Sequence, residues 1–415
     1  MSKLLQKLVS THRKESRLGD LSERIGDGLH GTPHYDSEGA FPFINGNNLN
    51  NGYVSIKSDT RKVDEAEYEK YKKDLHEGTL LISINGTIGN LAKYRNEKCV
   101  LGKSICYVNP KKEISSDYLY YAMLDRKFQN HILMNANGST IKNVSLGQMR
   151  DYVFSIPDYE TQNTIAQILG TYDAKIENNN FIIKNLESTA ETIFNEWFVK
   201  FRFPRYEEVN FVESDMGDIP EHWSVKKVKD VADLNKGVSY TSKEINTEYE
   251  GVALINLGNF RRGGGFNPDG TKYFTGAYKE SHSVKPGQIL IAMTDLTSNR
   301  EVIGHPARLP EDFNEAVISL DVCSLSPKKG TYIEFLYYSM LNRNFSKLMA
   351  SCASGTNVSH LSKTHIEEYD FAFPNDDLLI QFNNLIQPII TQQSILDKEN
   401  VMLKQSRDRL TAKLI

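Results

Sequence analysis

The 415-residue sequence predicts an α+β protein: two repeated mixed α/β domains separated by two long helices, packed as an antiparallel coiled coil with pseudo-two-fold symmetry. Two observations carry this. The first is a long internal repeat. Tyr118-Leu-Tyr-Tyr-Ala-Met-Leu-Asp-Arg-Lys-Phe128 returns as Phe335-Leu-Tyr-Tyr-Ser-Met-Leu-Asn-Arg-Asn-Phe345, and the same offset of 217 aligns Gly138–Ser145 with Gly355–Ser362 and Tyr152–Pro157 with Tyr369–Pro374. A repeat of that length is a duplicated domain, not a solenoid of short units. The second is the heptad-like spacing of apolar residues that follows each copy.

The elements follow in order. Residues 1–157 form the first domain, 158–203 the first helix, 204–374 the second domain and 375–415 the second helix. Within the domains, Leu18-Gly-Asp-Leu21 matches Val228-Lys-Asp-Val231, Phe43-Ile44-Asn45 matches Leu254-Ile255-Asn256, and Gly78–Ile82 matches Gly287–Ile291. Short β-like runs at 42–45, 79–85, 100–109, 251–257, 288–293 and 317–324 lie between Gly/Asn-rich turns. One helix per copy is expected, at 116–134 and 333–352. The apolar and Gly/Pro frame is kept between copies while the polar loops are rewritten, as when one scaffold presents two surfaces.

In the first long helix, Ile176, Ile183, Leu186, Ala190, Ile193 and Trp197 step by three and four, with Asn179 filling the slot between Ile176 and Ile183. In the second, Ile389, Gln393, Leu396, Asn400, Leu403, Arg407, Leu410 and Leu414 follow the same spacing. Each seam thus holds an asparagine, a device that specifies register. A helix with one apolar stripe cannot bury it alone, so the two are expected to pair through Ile176, Asn179, Ile183, Leu186, Ile193, Leu396, Asn400, Leu403 and Leu410.

Composition narrows the class. No run of 18 apolar residues exists, the N-terminus lacks the apolar core of a signal peptide, and the four cysteines form no Cys-x-x-Cys pair. A cytosolic protein with reduced thiols and no membrane span is expected. The net charge of −4 is unevenly divided: residues 1–157 carry 22 Lys and Arg against 18 Asp and Glu, so the first copy is basic and the second acidic. A chain of this balance that binds DNA needs local patches or a partner to neutralise phosphates.

Catalytic signatures fail on inspection. Gly102-Lys103-Ser104 lacks the first glycine of a phosphate loop, where Glu97 stands. Pro157-Asp158 with Asp173-Ala-Lys175 mimics a nuclease triad, but the latter pair sits in an amphipathic helix and the second copy has Pro374-Asn375. His30 and His34 flank Gly31 and Pro33, which no metal-binding helix tolerates, and Gly263-Gly-Gly265 reads as a hairpin tip. No metal or cofactor is expected in this chain. Binding chemistry is better represented. The first copy offers Asn47, Asn48, Lys57, Arg61, Lys62, Lys93, Arg95 and Lys103; the second offers Tyr240, Asn259, Arg261, Arg262, Asn299 and Arg300. Basic residues on phosphates supply affinity, while Arg to guanine and Asn to adenine supply sequence choice.

Three segments then point to a family. Ser155-Ile-Pro-Asp-Tyr-Glu-Thr-Gln162-Asn-Thr-Ile-Ala-Gln-Ile-Leu-Gly-Thr-Tyr-Asp173-Ala-Lys-Ile-Glu-Asn178, Gly217-Asp-Ile-Pro-Glu-His-Trp223 and Leu81-Ile-Ser-Ile-Asn-Gly-Thr-Ile-Gly89 together resemble the specificity (S) subunit of Type I restriction–modification enzymes. Thr161 stands where the family usually has Glu, and the second copy has Leu379-Ile-Gln-Phe382 and Asp295-Leu-Thr in place of the usual patterns. The resemblance implies a non-catalytic subunit. Its two target-recognition domains would each read half of a bipartite duplex target, and its helices would hold them apart. It also implies two methyltransferase (modification) subunits carrying S-adenosylmethionine, and restriction (motor–nuclease) subunits using ATP and Mg. The rival reading is a coiled-coil scaffold with tandem protein- or glycan-binding domains, which salt-sensitive binding to duplex DNA would exclude.

Overall fold

The structure is a computed structural model that describes residues 3–50, 52–57, 59–138, 142–246, 250–296, 300–355 and 358–415. It divides into two compact units, Met1–Asn179 with Glu399–Ile415, and Asn180–Lys398. The division falls inside both long helices, Tyr159–Phe194 and Asp376–Leu414.

In the first unit a four-stranded antiparallel sheet runs in the order Ser22–Asp27, Ile105–Pro110, Leu80–Ser83, Leu91–Lys93. Leu80–Ser83 is buried along its whole length, which is why it reads as a continuous apolar run rather than an alternating one. Beside it, Phe41–Ile44 pairs in parallel with Val100–Leu101 and antiparallel with Lys62–Val63. Lys14–Arg17 pairs with Val153–Ile156 and so brings the two ends of the domain together. The core joins this sheet to Tyr118, Leu119, Tyr121, Met123 and Phe128 and to Ile165 and Leu169 of the first long helix.

The second unit repeats the plan. Its four-stranded sheet runs Ala232–Lys236, Val322–Pro327, Ile289–Ala292, Pro306–Arg308. Val252–Ile255 pairs in parallel with Ala316–Ile318, and Ser224–Lys227 pairs with Asp370–Phe373. The repeat extends to side chains: Phe128 meets Tyr152 edge-on at 4.9 Å, and Phe345 meets Tyr369 edge-on at 4.9 Å. Its core is more aromatic, with Phe198 in ring contact with Trp223, Phe335 and Phe382, and Phe194 with Phe335.

Two expectations are corrected in both copies alike. The single helix expected at 116–134 is two, Ser116–Leu124 and Arg126–Met134, and that at 333–352 is Ile333–Leu341 and Arg343–Cys352. The breaks fall at Asp125 and Asn342, both extended, whose side chains accept from Lys127 N and Asn344 N. A short polar side chain that caps a new helix start outcompetes continuation of the old one. The β-run at 100–109 is likewise two strands, Val100–Leu101 and Ile105–Pro110, and that at 317–324 is Ala316–Ile318 followed by Val322–Pro327.

The long helices pair in opposite directions within each unit. In the first, Asp173 meets Arg407 at 2.6 Å and Asn179 meets Asn400 at 3.1 Å. In the second, Phe194 and Trp197 pack on Phe382. Ile176, Asn179, Ile183, Leu396 and Asn400 are buried, while Leu186, Ile193, Leu403 and Leu410 are half-buried at the flanks of the stripe.

Candidate nucleic-acid interface

The loops that follow Phe41–Ile44 and Val252–Ile255 share one internal brace. In the first unit the chain leaves the strand through a tight turn at Gly46–Asn48. Asn48 Oδ1 accepts from Asn45 N (3.0 Å), and its Nδ2 donates to Ser55 O (2.9 Å) and Thr60 Oγ1 (3.1 Å). In the second, Asn259 Oδ1 accepts from Asn256 N (2.9 Å), and its Nδ2 donates to Asn267 O (3.0 Å) and Thr271 Oγ1 (2.8 Å). Both asparagines are buried. They were expected on the reading surface; instead each spends its amide on the backbone and a threonine hydroxyl, because a buried amide must be satisfied. They shape the loop from within.

Around the first brace lies a cleft of about 180 Å³ lined by Tyr35, Phe43, Asn45, Asn47, Asn48, Asp59, Thr60 and Arg61. Tyr35 stands edge-on to Phe43, and the Arg61 guanidinium lies 4.7 Å from the centre of the Tyr35 ring. Lys57 Nζ donates to Asn47 O at 2.8 Å on the same loop. The structure therefore brings Asn47, Lys57 and Arg61 together. Lys62 is exposed on the neighbouring strand, and Lys103 is exposed in the turn after Val100–Leu101.

Most of the remaining basic residues are held by partners. Lys93 pairs with Asp117 and lies 4.6 Å from the Tyr120 ring. Arg95 stacks on Tyr53 at 4.1 Å, and burial raises the Tyr53 pKa with help from a hydrogen bond to Glu177 of the first long helix. In the second unit, Arg261 and Arg262 sit at a hairpin tip closed by Arg261 N on Gly265 O (3.0 Å). Arg262 pairs with Glu301 at 3.0 Å. Arg261 lies near Glu187 of the first long helix, whose pKa burial raises and the arginine's charge opposes. Arg300, left-handed at φ 52°, donates to Ser359 Oγ (3.1 Å) and Ala350 O (2.6 Å), an internal tie rather than a free cation. Tyr240 is half-buried against Val238, Leu254, Phe274 and Val317. Asn299 lies outside the described residues.

One basic position escaped the sequence reading. Thr60-Arg61 aligns on Thr271-Lys272, and the shared brace puts Lys272 at the Arg61 position of the second unit. The alignment of Asn45 with Asn256, carried sixteen residues further, contains that signal.

A cleft of about 630 Å³ lies at the end of the second long helix, lined by Arg126, Arg407 and Arg409 together with Asp125 and Asp408. Burial pushes the thiols of Cys99, Cys106 and Cys323 up to about 12, so at neutral pH they are protonated and poor nucleophiles. Among the described residues no group of three or more His, Cys, Asp or Glu is placed to hold a metal, and no helix is long and apolar enough to cross a membrane.

Duplicated α+β scaffolds that carry rewritten polar loops, with paired long helices, define a tandem-domain recognition protein. The chain belongs to the family of the Type I restriction modification DNA specificity domain, whose model matches residues 13–188 and 220–398, and its role in that family is recognition of a DNA target. It is similar to the Type I restriction enzyme MjaIX specificity subunit of Methanocaldococcus jannaschii, 24% identical over 392 residues that cover 91% of this chain and 86% of that one. It is also similar to the HindI specificity subunit of Haemophilus influenzae, 23% identical over 97% of this chain and 98% of that one. The crystal structure of a Type I restriction–modification S subunit from M. genitalium shares the fold, with a TM-score of 0.52 and 16% identity over 98% of this chain and 96% of that one.

Proposed function

We propose that this chain reads a bipartite duplex DNA sequence, one block per repeated unit, and directs modification and restriction subunits to it. One observation carries the reading: the Asn-Thr brace is the same in both units while the residues it presents differ. A fixed frame with exchangeable contacts is what two independent half-site readers need. Arg61, Lys62 and Lys103 in the first unit and Arg261 and Lys272 in the second are among the basic side chains available to phosphates or base edges. Because the second copy is acidic, its share of phosphate neutralisation comes largely from partners.

The partners in this reading are two methyltransferase subunits docked on the paired helices, carrying S-adenosylmethionine and modifying adenine in each block. Restriction subunits supply ATP-driven translocation and Mg-dependent cleavage. This chain supplies recognition and spacing only, and it works in the cytoplasm on chromosomal or invading DNA.

The test is a domain exchange. Residues 18–157 are replaced by the matching domain of a related specificity subunit, and methylated adenines are mapped across the genome of the host strain. One block should change and the other stay. An unchanged motif, or a motif altered in both blocks, rejects the reading.

A further inference from the structure

We propose that the cleft of the first unit is a base-reading notch in which Arg61 recognises one guanine of the first block. The inference rests on the DNA-reading function above and assigns a specificity-determining residue within it.

The argument starts from the brace. Asn45, Asn48 and Thr60 are the same residue types as Asn256, Asn259 and Thr271, and they make matching hydrogen bonds. What the brace displays is not the same. Asn47 is replaced by Gly258, Asp59 by Gly270 and Arg61 by Lys272. In the second unit the two glycines abut: a Cβ on Gly270 would lie 2.0 Å from the Gly258 carbonyl carbon, and one on Gly258 would lie 3.2 Å from Gly270 Cα. Backbone therefore fills the space between these positions. In the first unit Asn47 and Asp59 line an open cleft instead. The two copies keep the frame and change its mouth, as expected of positions that set sequence choice.

Arg61 is prepared for such a contact. Its guanidinium lies 4.7 Å from the Tyr35 ring centre, and Tyr35 is itself held edge-on by Phe43. Its backbone carbonyl accepts from Phe43 N (2.8 Å), while its guanidinium has no hydrogen bond or ion pair among the described residues. Stacking on an aromatic face fixes the plane of the fork without using its N–H groups. A planar, pre-oriented fork matches the O6 and N7 acceptors that guanine presents in the major groove. Lys93, Arg95, Arg262 and Arg300 lack this combination, because Lys93 and Arg262 are tied to carboxylates, Arg300 to a backbone carbonyl, and Arg95 to the Tyr53 hydroxyl by a hydrogen bond.

The experiment uses the full chain in complex with its modification subunits and a set of duplexes in which each base pair of the mapped target is changed in turn. The wild-type complex should lose roughly 5- to 150-fold in affinity when one G·C pair of the first block is replaced. Arg61→Ala should abolish that discrimination at that pair alone and leave the second block untouched. Arg61→Lys should restore part of the affinity and less of the discrimination. Uniform weakening on all sequences, with the salt slope reduced by about one, would make Arg61 a phosphate contact and overturn the proposal, as would unchanged discrimination. A wild-type complex with no sequence preference would sink the DNA-reading function itself, which separates the two failures.

Discussion

Asn179 and Asn400, one from each long helix, meet inside the seam: Asn179 Nδ2 donates to Asn400 Oδ1 at 3.1 Å and to Glu399 Oε2 at 2.8 Å. Both are buried. A polar pair in an apolar stripe tolerates only the alignment that matches one amide to the other, so it fixes register at some expense of stability. Replacing either one with Leu removes the amide–amide hydrogen bond from the buried seam and should destabilise by about 1–3 kcal/mol. The double change Asn179→Leu with Asn400→Leu should recover most of that loss. Urea unfolding of the four proteins measures the coupling, and purely additive losses would mean that the contact does not specify the pairing.

A second pair is built twice with different strength. Arg308 donates to both oxygens of Glu334, at 2.9 and 2.6 Å, and lies 4.2 Å from the Tyr337 ring. The matching residues of the first unit are Lys93, Asp117 and Tyr120, in the same arrangement. Glu334 is 1% exposed and also accepts from Gln387 of the second long helix, whereas Asp117 is 58% exposed. Breaking a buried pair strands a charge and costs about 3–5 kcal/mol; breaking an exposed one costs about 0–1 kcal/mol. Glu334→Gln should therefore sharply lower the unfolding midpoint of the second unit, and Asp117→Asn should barely move that of the first. Equal effects would contradict the burial difference.

The pH dependence of the second unit should include His305. Burial lowers its pKa, Asp295 opposes the shift, and its Nδ1 is enclosed with no hydrogen-bond partner among the described residues. A histidine neutral in the fold and free to protonate when unfolded binds fewer protons in the native state below its unfolded pKa of ~6.5. Stability contributed by the neutral ring is thus complete above that pH and lost as pH falls toward the folded pKa. His305→Phe should flatten this part of the pH–stability curve, measured by denaturant unfolding between pH 5 and 8. An unaltered slope would place the titration elsewhere.

The parts legible in the sequence are those that repeat or recur with a period. The duplication showed through Tyr118–Phe128 and Phe335–Phe345, and both seam asparagines stood out because they interrupt apolar spacing. What escaped depends on partners far along the chain. Asn48 and Asn259 look like base readers in a polar loop, and only the positions of Thr60 and Thr271 turn them inward. Lys93 reads as a free cation until Asp117 is folded against it. The helix breaks at Asp125 and Asn342 were hidden because each falls inside a run of residues that all suit a helix interior or surface, although a capping residue stands at both. Comparing the copies position by position would have shown that the break is shared.

The last prediction concerns the spacing of the two blocks. If the paired helices set the distance between half-site readers, lengthening both should move the blocks apart without rewriting either. The matched sites are after Ile183 and before Leu396, both buried in the seam. A heptad adds about 10 Å of helix and preserves the stripe, because seven residues return close to the same face. Insertion in only one helix would push apolar residues out of register and expose them, so paired insertion is the informative variant. At a base-pair rise of ~3.4 Å, the gap should grow by no more than about three base pairs, while the bases within each block stay the same. Arg61→Ala in the lengthened protein should still act on the first block alone, since its frame lies entirely within the first unit. Methylated-adenine mapping reads both outcomes together. A lengthened chain that keeps its original gap would show that the helices do not measure it, and altered bases within the blocks would show that they take part in reading.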